Sequence, residues 1–461
     1  MLERLFARYI ADEARPMIHL AAPIVLAELG WMSMGIVDTM MVGRQQNSAV
    51  AIGAVSLGSI LYYVVAIFGT GLMLGLDILV SHSYGAGNLE DAHRSLVNGV
   101  YLSLGIAPIL MGLVWLWEPI LRLLSIEPSV MSQAIPYLRA LNWGTLPLLL
   151  YCVFRRYLQG ISLVKPVVFS LLSANLVNLG GNWALIYGHL GLRAMGTVGS
   201  GWATCAGRVY MAGVLLAYCV YYDLRYKTGL REASRWPHFP RVWKLVSLGL
   251  PAAAQLGLEV GVFAAATALI GKLGAIPLAS HQIAMNTASF TYMVPLGIGS
   301  AAAVRVGQAL GRQDHPAASR AGWTALALGS GFMMCTGLAF WLVPGYIVRI
   351  YSPNPALTRA ASGLLLVAAF FQLFDGLQAV ATGSLRGAGD TRTPMICSAL
   401  SYWLVGLPLG NFLCFRRGWG AEGIWTGLCV ALILIGCALL ILWRRKERSF
   451  SDMEVSVRPS A

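Results

Sequence analysis

The sequence predicts an all-α polytopic membrane protein with twelve transmembrane helices in two pseudo-symmetric six-helix bundles. Three observations lead there. Only 11% of the 461 residues are charged and 57% are apolar or aromatic, against about 25% charged in a soluble domain. The apolar residues gather into stretches of about 20 or more, the length of a helix that crosses a bilayer. Residues of special backbone type also recur at one offset between the two halves of the chain.

The twelve stretches lie near residues 17–42, 51–80, 96–118, 130–154, 166–188, 197–222, 246–271, 278–303, 321–343, 358–384, 394–414 and 422–443. Several exceed 25 residues and contain Pro or Gly, Pro147 and Pro295 among them, so tilted and kinked helices are expected. Ahead of them, residues 1–16 form a cytoplasmic amino-terminal segment. MLERLFARYIADEAR is no signal peptide, because acids and bases interrupt it before an apolar core develops. Leu2, Leu5, Phe6 and Ile10 fit one face of a short interfacial helix; a frayed tail is the plainer alternative.

The most basic gap, residues 223–245, falls near the midpoint and reads as a cytoplasmic linker between an amino-terminal lobe, 17–222, and a carboxyl-terminal lobe, 246–443. A basic tail, 444–461, follows. An offset of 228 pairs Pro23 with Pro251, Gly43 with Gly271, Ala51 with Ala279 and Pro166 with Pro394. Six spans per half is an even number, so the repeats run parallel about an axis along the membrane normal. Two such bundles around a central cleft suit a transporter.

The net charge of +13 does not point to nucleic acid. With both termini inside, inner segments hold 23 Lys and Arg and outer segments seven, Arg139, Arg208 and Arg359 lying within spans; this is the positive-inside pattern. Both termini are therefore expected in the cytoplasm. The eight cysteines mostly sit singly in apolar runs with no CxxC spacing, so they read as small core residues.

Five acids interrupt apolar runs: Glu28, Asp38, Asp77, Glu259 and Asp375. A charge at such depth costs roughly 2.5–3.5 kcal/mol on insertion scales and is rarely kept without a use. Glu259 and Asp375 lie deepest. A carboxyl in an apolar cavity without cations favours its neutral form or a bound cation, which is what an ion-driven antiporter needs of a coupling site. A buried ion pair, for instance with Arg208, is the structural alternative. Asp38 and Asp77 lie nearer span ends, where an acid can also reach headgroups or cap a helix. Asn175, Asn178 and Asn182 share one face of the fifth span, Gln372, Asp375 and Gln378 one face of the tenth, and Gln282 and Asn286 one face of the eighth. These stripes either line a cavity or act as hydrogen-bonding glue between helices. His281, a lone histidine in a span, reads as structural. GAGD at 387–390 has the letters of an intramembrane protease motif but lies between Arg386 and Arg392, in a turn. No HExxH, GxSxG or P-loop occurs.

VDTMMVG in the first span, LDILVSHSYGAGN closing the second, LASHQIAMNTASFTYMVPLGIGSAAAVRVGQALG through the eighth and LRGAGDTRTP after the tenth resemble the multidrug and toxic compound extrusion (MATE) family, in its NorM-like branch. The resemblance covers nearly the whole chain. It implies two six-helix bundles, a V-shaped cleft, and export of organic cations driven by Na⁺ or H⁺ entry. Glu259 and Asp375 fall where that branch carries its carboxyl-lobe cation site, and Asp38 matches the family's first-span acid. Other branches carry an Asp where Asn182 stands here, which favours the carboxyl lobe. Glu28 has no counterpart in the family pattern and is grouped with the cavity-lining residues.

The expected function is secondary active multidrug efflux with alternating access, not enzyme catalysis. Glu259, Asp375 and Asp38 couple the cation, Glu259 and Asp375 holding Na⁺ if sodium is used. Asn175, Asn178, Asn182, Gln282, Asn286, Gln372, Gln378 and Glu28 line the path of the cargo. No cofactor beyond the coupling ion is expected; the partners are membrane lipid and small organic cations, and the chain is expected to act as a monomer in a bacterial inner membrane. A lipid-linked precursor flippase, an intramembrane hydrolase and a passive channel stay open as alternatives. A flippase would line its cavity with Arg and Lys, and a hydrolase needs catalytic pairs that the sequence lacks.

Overall fold

The computed structural model describes the chain except residues 1, 46–47, 124–126, 233, 235 and 458–461; side chains of 1–12, 122–126 and 450–461 also lie outside the description. Among the described residues all regular structure is helical. The elements are α1 Leu2–Val42, α2 Ser48–Leu72, α3 Gly75–Gly85, α4 Leu89–Trp115, α5 Trp117–Leu123, α6 Pro128–Asn142, α7 Thr145–Gly160, α8 Lys165–Tyr187, α9 Thr197–Tyr226, α10 Phe239–Gly271, α11 Ala275–Gly311, α12 His315–Leu342, α13 Pro344–Tyr351, α14 Pro355–Gly387, α15 Arg392–Ser398, α16 Leu407–Asn411 and α17 Gly420–Val457. Two π-helical stretches, Ala399–Gly406 and Phe412–Arg416, flank α16.

Each expected span falls on a helix or a consecutive helix pair, except the eleventh, which falls on the run of short α- and π-helical stretches from Arg392 to Arg416. Among the described residues, ten helical segments are long and apolar enough to cross a membrane. The expected fourth and fifth spans fall outside these ten. The fourth is broken at Trp143–Gly144, just before Pro147, into two helices of 15 and 16 residues. The fifth, α8, is long enough at 23 residues but carries three asparagines and Lys165. Pro295 behaves differently from Pro147, since α11 runs through it unbroken. Helix α7 continues to Gly160, so Arg155 and Arg156, expected in the following gap, are helical. Many large apolar side chains face outward, among them Ile60, Ile109, Phe169 and Phe370, far more than water would tolerate. The protein is a multi-pass membrane protein.

The chain forms two compact units: residues 26–253 make one, and residues 1–25 with 254–461 make the other. The dividing points, after Val25 and after Ala253, are separated by the same offset of 228 that relates the halves of the sequence. The backbone of α1 is continuous from Leu2, with no separate interfacial helix. The face expected from Leu2, Leu5, Phe6 and Ile10 lies outside the described side chains.

In the 26–253 unit the basic gap is tied down. Asp223 accepts the Thr228 hydroxyl and the Leu230 backbone N–H, both at 2.8 Å. Asn98 accepts the His238 N–H at 2.8 Å, and Arg241 pairs with Asp91. In the other unit, glycines let α14 pack backbone to backbone on α11, and α17 on the π-helical stretch Ala399–Gly406. A Cβ on Gly383 of α14 would lie 2.0 Å from the Gly299 carbonyl oxygen of α11. One on Gly427 of α17 would lie 2.4 Å from the Gly406 oxygen. GAGD closes α14 as a turn: Gly389 has a φ of +83°, and Asp390 accepts the Thr393 N–H at 3.0 Å and its hydroxyl at 2.6 Å. That carboxylate serves as a helix cap.

Candidate cation site and the buried acids

Glu259 projects from the middle of α10 and Asp375 from α14, and both line one cavity of about 190 Å³. Phe263, Met285, Phe371 and Leu432 give it apolar walls, while Ser289, Tyr292, Gln378 and Tyr402 supply polar groups; among the described residues no Lys or Arg lines it. Glu259 Oε1 accepts from Gln255 Nε2 at 3.0 Å, Gln378 Nε2 at 2.7 Å and the Ser398 hydroxyl at 3.5 Å. The Tyr402 hydroxyl donates to Gln378 Oε1 at 3.0 Å, which fixes the amide with its N–H toward Glu259. Asp375 has no hydrogen-bond partner among the described residues, so its oxygens are left for whatever occupies the cavity. Tyr402 sits in the π-helical stretch Ala399–Gly406; such wide turns re-aim side chains and recur at functional sites.

Asp38 is held differently, in the 26–253 unit. Its Oδ1 accepts from Asn182 Nδ2 at 2.5 Å and its Oδ2 from the Thr204 hydroxyl at 3.0 Å. Asn182 also donates to Asn178 Oδ1 at 3.1 Å. All four side chains are buried, and Asn178 Nδ2 and Asn182 Oδ1 have no partner among the described residues. The cluster is therefore polar, closed and only partly satisfied. Asn175, half-buried on the same helix, instead bonds the Gly30 carbonyl at 3.1 Å and Ser33 at 3.2 Å, tying α8 to α1. Among the described residues Arg208 forms an ion pair with neither Asp38 nor another acid; its guanidinium lies over the Tyr62 ring, 4.6 Å from its centre.

Glu28 is ion-paired with Arg155, and both side chains are almost fully buried. Asp77 lies 3.4 Å from Arg156. These two pairs explain how adjacent arginines enter α7. Gln372 is fully buried and donates to Thr291 at 2.9 Å and Thr336 at 3.2 Å, bridging α11 and α12 away from the cavity. Gln282 and Asn286 lie on the exposed face of α11. His281 accepts from Trp425 Nε1 at Nδ1, 3.0 Å, so its Nε2 carries the proton donated to Thr267 at 2.8 Å. Of the expected polar stripes, the structure brings Gln378 to Glu259 and Asp375, and Asn178 and Asn182 to Asp38.

Sequence reading missed Gln255, Tyr292, Ser398 and Tyr402. Gln255 precedes Glu259 by one helical turn, a visible i, i+4 relation. Ser398 and Tyr402 stand four apart in the eleventh span, but only the packing of that span against α10 and α14 distinguishes them from ordinary span residues.

The MatE family model matches twice, at residues 23–184 and 251–412, the second match displaced by 228 residues from the first. "Probable multidrug resistance protein NorM" of Mesorhizobium japonicum is 39% identical over 447 residues, 95% of each chain. "Multidrug resistance protein PmpM" of Pseudomonas aeruginosa is 34% identical over 447 residues, 96% of this chain and 93% of its own. Among solved structures, the eukaryotic MATE transporter AtDTX14 superposes with a TM-score of 0.85 over 96% of this chain and 99% of its own, at 20% identity. Vibrio cholerae VcmN in its bent form gives 0.82 over 96% and 99%, at 17% identity. The duplicated match, the helical fold and the full-length relatives agree, and the chain belongs to the MatE family of membrane transporters; it is not an enzyme.

Proposed function

We propose that this transporter exports small organic cations from a bacterial cytoplasm in exchange for entering Na⁺ or H⁺, with Glu259 and Asp375 as the coupling residues. The observation that carries the reading is the pair of carboxyls lining one apolar cavity with no basic residue in its wall. Two carboxylates so placed repel in low dielectric unless a proton or a cation lies between them. Carboxylate and hydroxyl oxygens are hard donors, suited to Na⁺ or a proton. Among the described residues no three His, Cys, Asp or Glu side chains converge as a metal cluster needs, which favours a monovalent ion. At about 190 Å³ the cavity is smaller than the roughly 300–1,000 Å³ of a drug-sized site. It admits an ion with water, or one cationic group of a cargo molecule. Cargo and ion therefore compete for the same acids, and that exclusion is the exchange step. A flippase for anionic headgroups would call for basic walls, which this cavity lacks.

The direct test is cargo efflux from proteoliposomes with a Na⁺ gradient and a pH gradient imposed separately. Uphill movement driven by either supports exchange, whereas downhill leakage alone identifies a channel. Asp38, locked by Asn182 and Thr204, supports transport without being the main ion site. Asp38→Asn is expected to slow efflux several-fold and leave cation-dependent binding detectable. If it abolished ion binding while Glu259→Gln did not, the two units would have to exchange roles.

The protein is read as a monomer in the inner membrane; both termini lie in the cytoplasm in this reading, an orientation that the excess of basic residues on one side supports. Cysteines placed at 230 and 457 should react only with reagents that enter the cell. Labelling of either by an impermeant external reagent on intact cells would reverse the orientation.

A further inference from the structure

A second cavity, of about 450 Å³, lies in the 26–253 unit between the end of α4, the start of α5 and the last turns of α6. Its floor is apolar, built from Val114, Ile135 and Leu138, and Trp115 and Trp143 flank it, each 60% exposed. Glu118 and Arg139 line it as well and are ion-paired with each other. Exposed tryptophans at the end of a span mark the membrane interface, where an aromatic ring meets both headgroups and hydrocarbon. Ile109 and Leu113, in the last turns of α4, are exposed apolar side chains as well, as expected of a span end set in hydrocarbon.

We propose that this cavity is a headgroup site for a zwitterionic aminophospholipid. The phosphate lies against Arg139, the ammonium against Glu118 and the tryptophan faces, and the acyl chains leave over the apolar floor of Val114 and Ile135 into the surrounding hydrocarbon. Charge complementarity selects this occupant. A guanidinium beside a carboxylate matches a phosphate joined to an ammonium through two carbons. An anionic lipid without the ammonium meets Glu118 as a like charge. A soluble phosphate has no use for the apolar floor and its flanking tryptophans, and a soluble organic cation has no use for Arg139. The lipid replaces the internal Glu118–Arg139 contact with two charge-assisted contacts of its own.

The test is lipid binding by the full-length protein purified in detergent, measured by native mass spectrometry. The probes are phosphatidylethanolamine, phosphatidylglycerol of the same acyl chains, and soluble phosphoethanolamine. The native protein is expected to prefer phosphatidylethanolamine over phosphatidylglycerol by about tenfold, the effect of one charge-assisted contact, and to ignore soluble phosphoethanolamine. Glu118→Gln should erase the preference between the two lipids, and Arg139→Gln should weaken both. Equal binding of the two lipids by the native protein, or an undiminished preference in Glu118→Gln, overturns the proposal. Should either variant fold poorly, photo-crosslinking of the native protein with a headgroup-tagged phosphatidylethanolamine decides. Labels within residues 113–143 support the site, and labels only elsewhere refute it.

Discussion

Glu259→Gln and Asp375→Asn are each expected to reduce gradient-driven efflux to the level of protein-free liposomes, while the protein still inserts and stays monodisperse in detergent. The structural cost of either change is small. A glutamine at 259 keeps the shape, and its carbonyl oxygen can still accept from Gln255 and Gln378, the groups now bonded to Glu259. Asp375 has no hydrogen bond to lose among the described residues. What each variant removes is one of the two negative charges that a proton, a sodium ion or a cationic cargo group would neutralise in the cavity. With one charge left, ion and cargo no longer compete on equal terms, and release of one no longer requires arrival of the other. If the two residues act as a unit, the double variant should cost little beyond either single one. Efflux under an imposed gradient, corrected for reconstituted protein, is the measurement. Near-native efflux by either well-folded single variant would show that the two acids do not share the coupling ion.

Glu259 and Asp375 were legible because hydrocarbon punishes charge. In a chain with so few charged residues, an acid far from any span end stands out without reference to its neighbours. The helices were legible for a related reason, since in a bilayer a long apolar run has almost no structure available to it except a helix. The company each acid keeps was harder to read. Glu28 and Asp38 lie ten residues apart on the same helix and look alike in sequence, yet one meets an arginine on α7 and the other an asparagine and a threonine on α8 and α9. Which of these applies depends on the rotation and crossing of helices far apart in the chain, and periodicity carries no such information. Arg155 was hidden from the other direction. Basic residues mark span ends so reliably that an arginine inside a helix end reads as loop until its buried partner is seen. The same holds for Gln372: as part of the stripe with Asp375 and Gln378 it looked like a cavity residue. One turn of α14 is enough to carry it to Thr291 and Thr336 instead.

The Glu28–Arg155 pair leads to the other large expected effect, on stability. The two side chains are only 13% and 8% exposed, so neither charge has water to fall back on. Arg155→Gln leaves Glu28 as an uncompensated buried charge, and Glu28→Gln does the same to Arg155. Removing one partner of such a pair costs about 3–5 kcal/mol, whereas replacing both by neutral groups is often close to neutral, since the desolvation penalty of the pair disappears with its attraction. Each single variant is therefore expected to unfold at markedly lower denaturant concentration than the native protein, and the Glu28→Gln, Arg155→Gln double variant to recover most of the loss. This pattern also separates two roles for Glu28. If Glu28 met cargo directly, Glu28→Gln would slow efflux at unchanged stability, and restoring the charge balance at Arg155 would not help. If it serves the ion pair, stability falls first and efflux per folded molecule is retained in the double variant. Reversible unfolding in mixed micelles, run as a double-mutant cycle, measures the coupling. Additive losses in the double variant would mean that the two charges do not depend on each other, and that the adjacent arginines of α7 are held by other means.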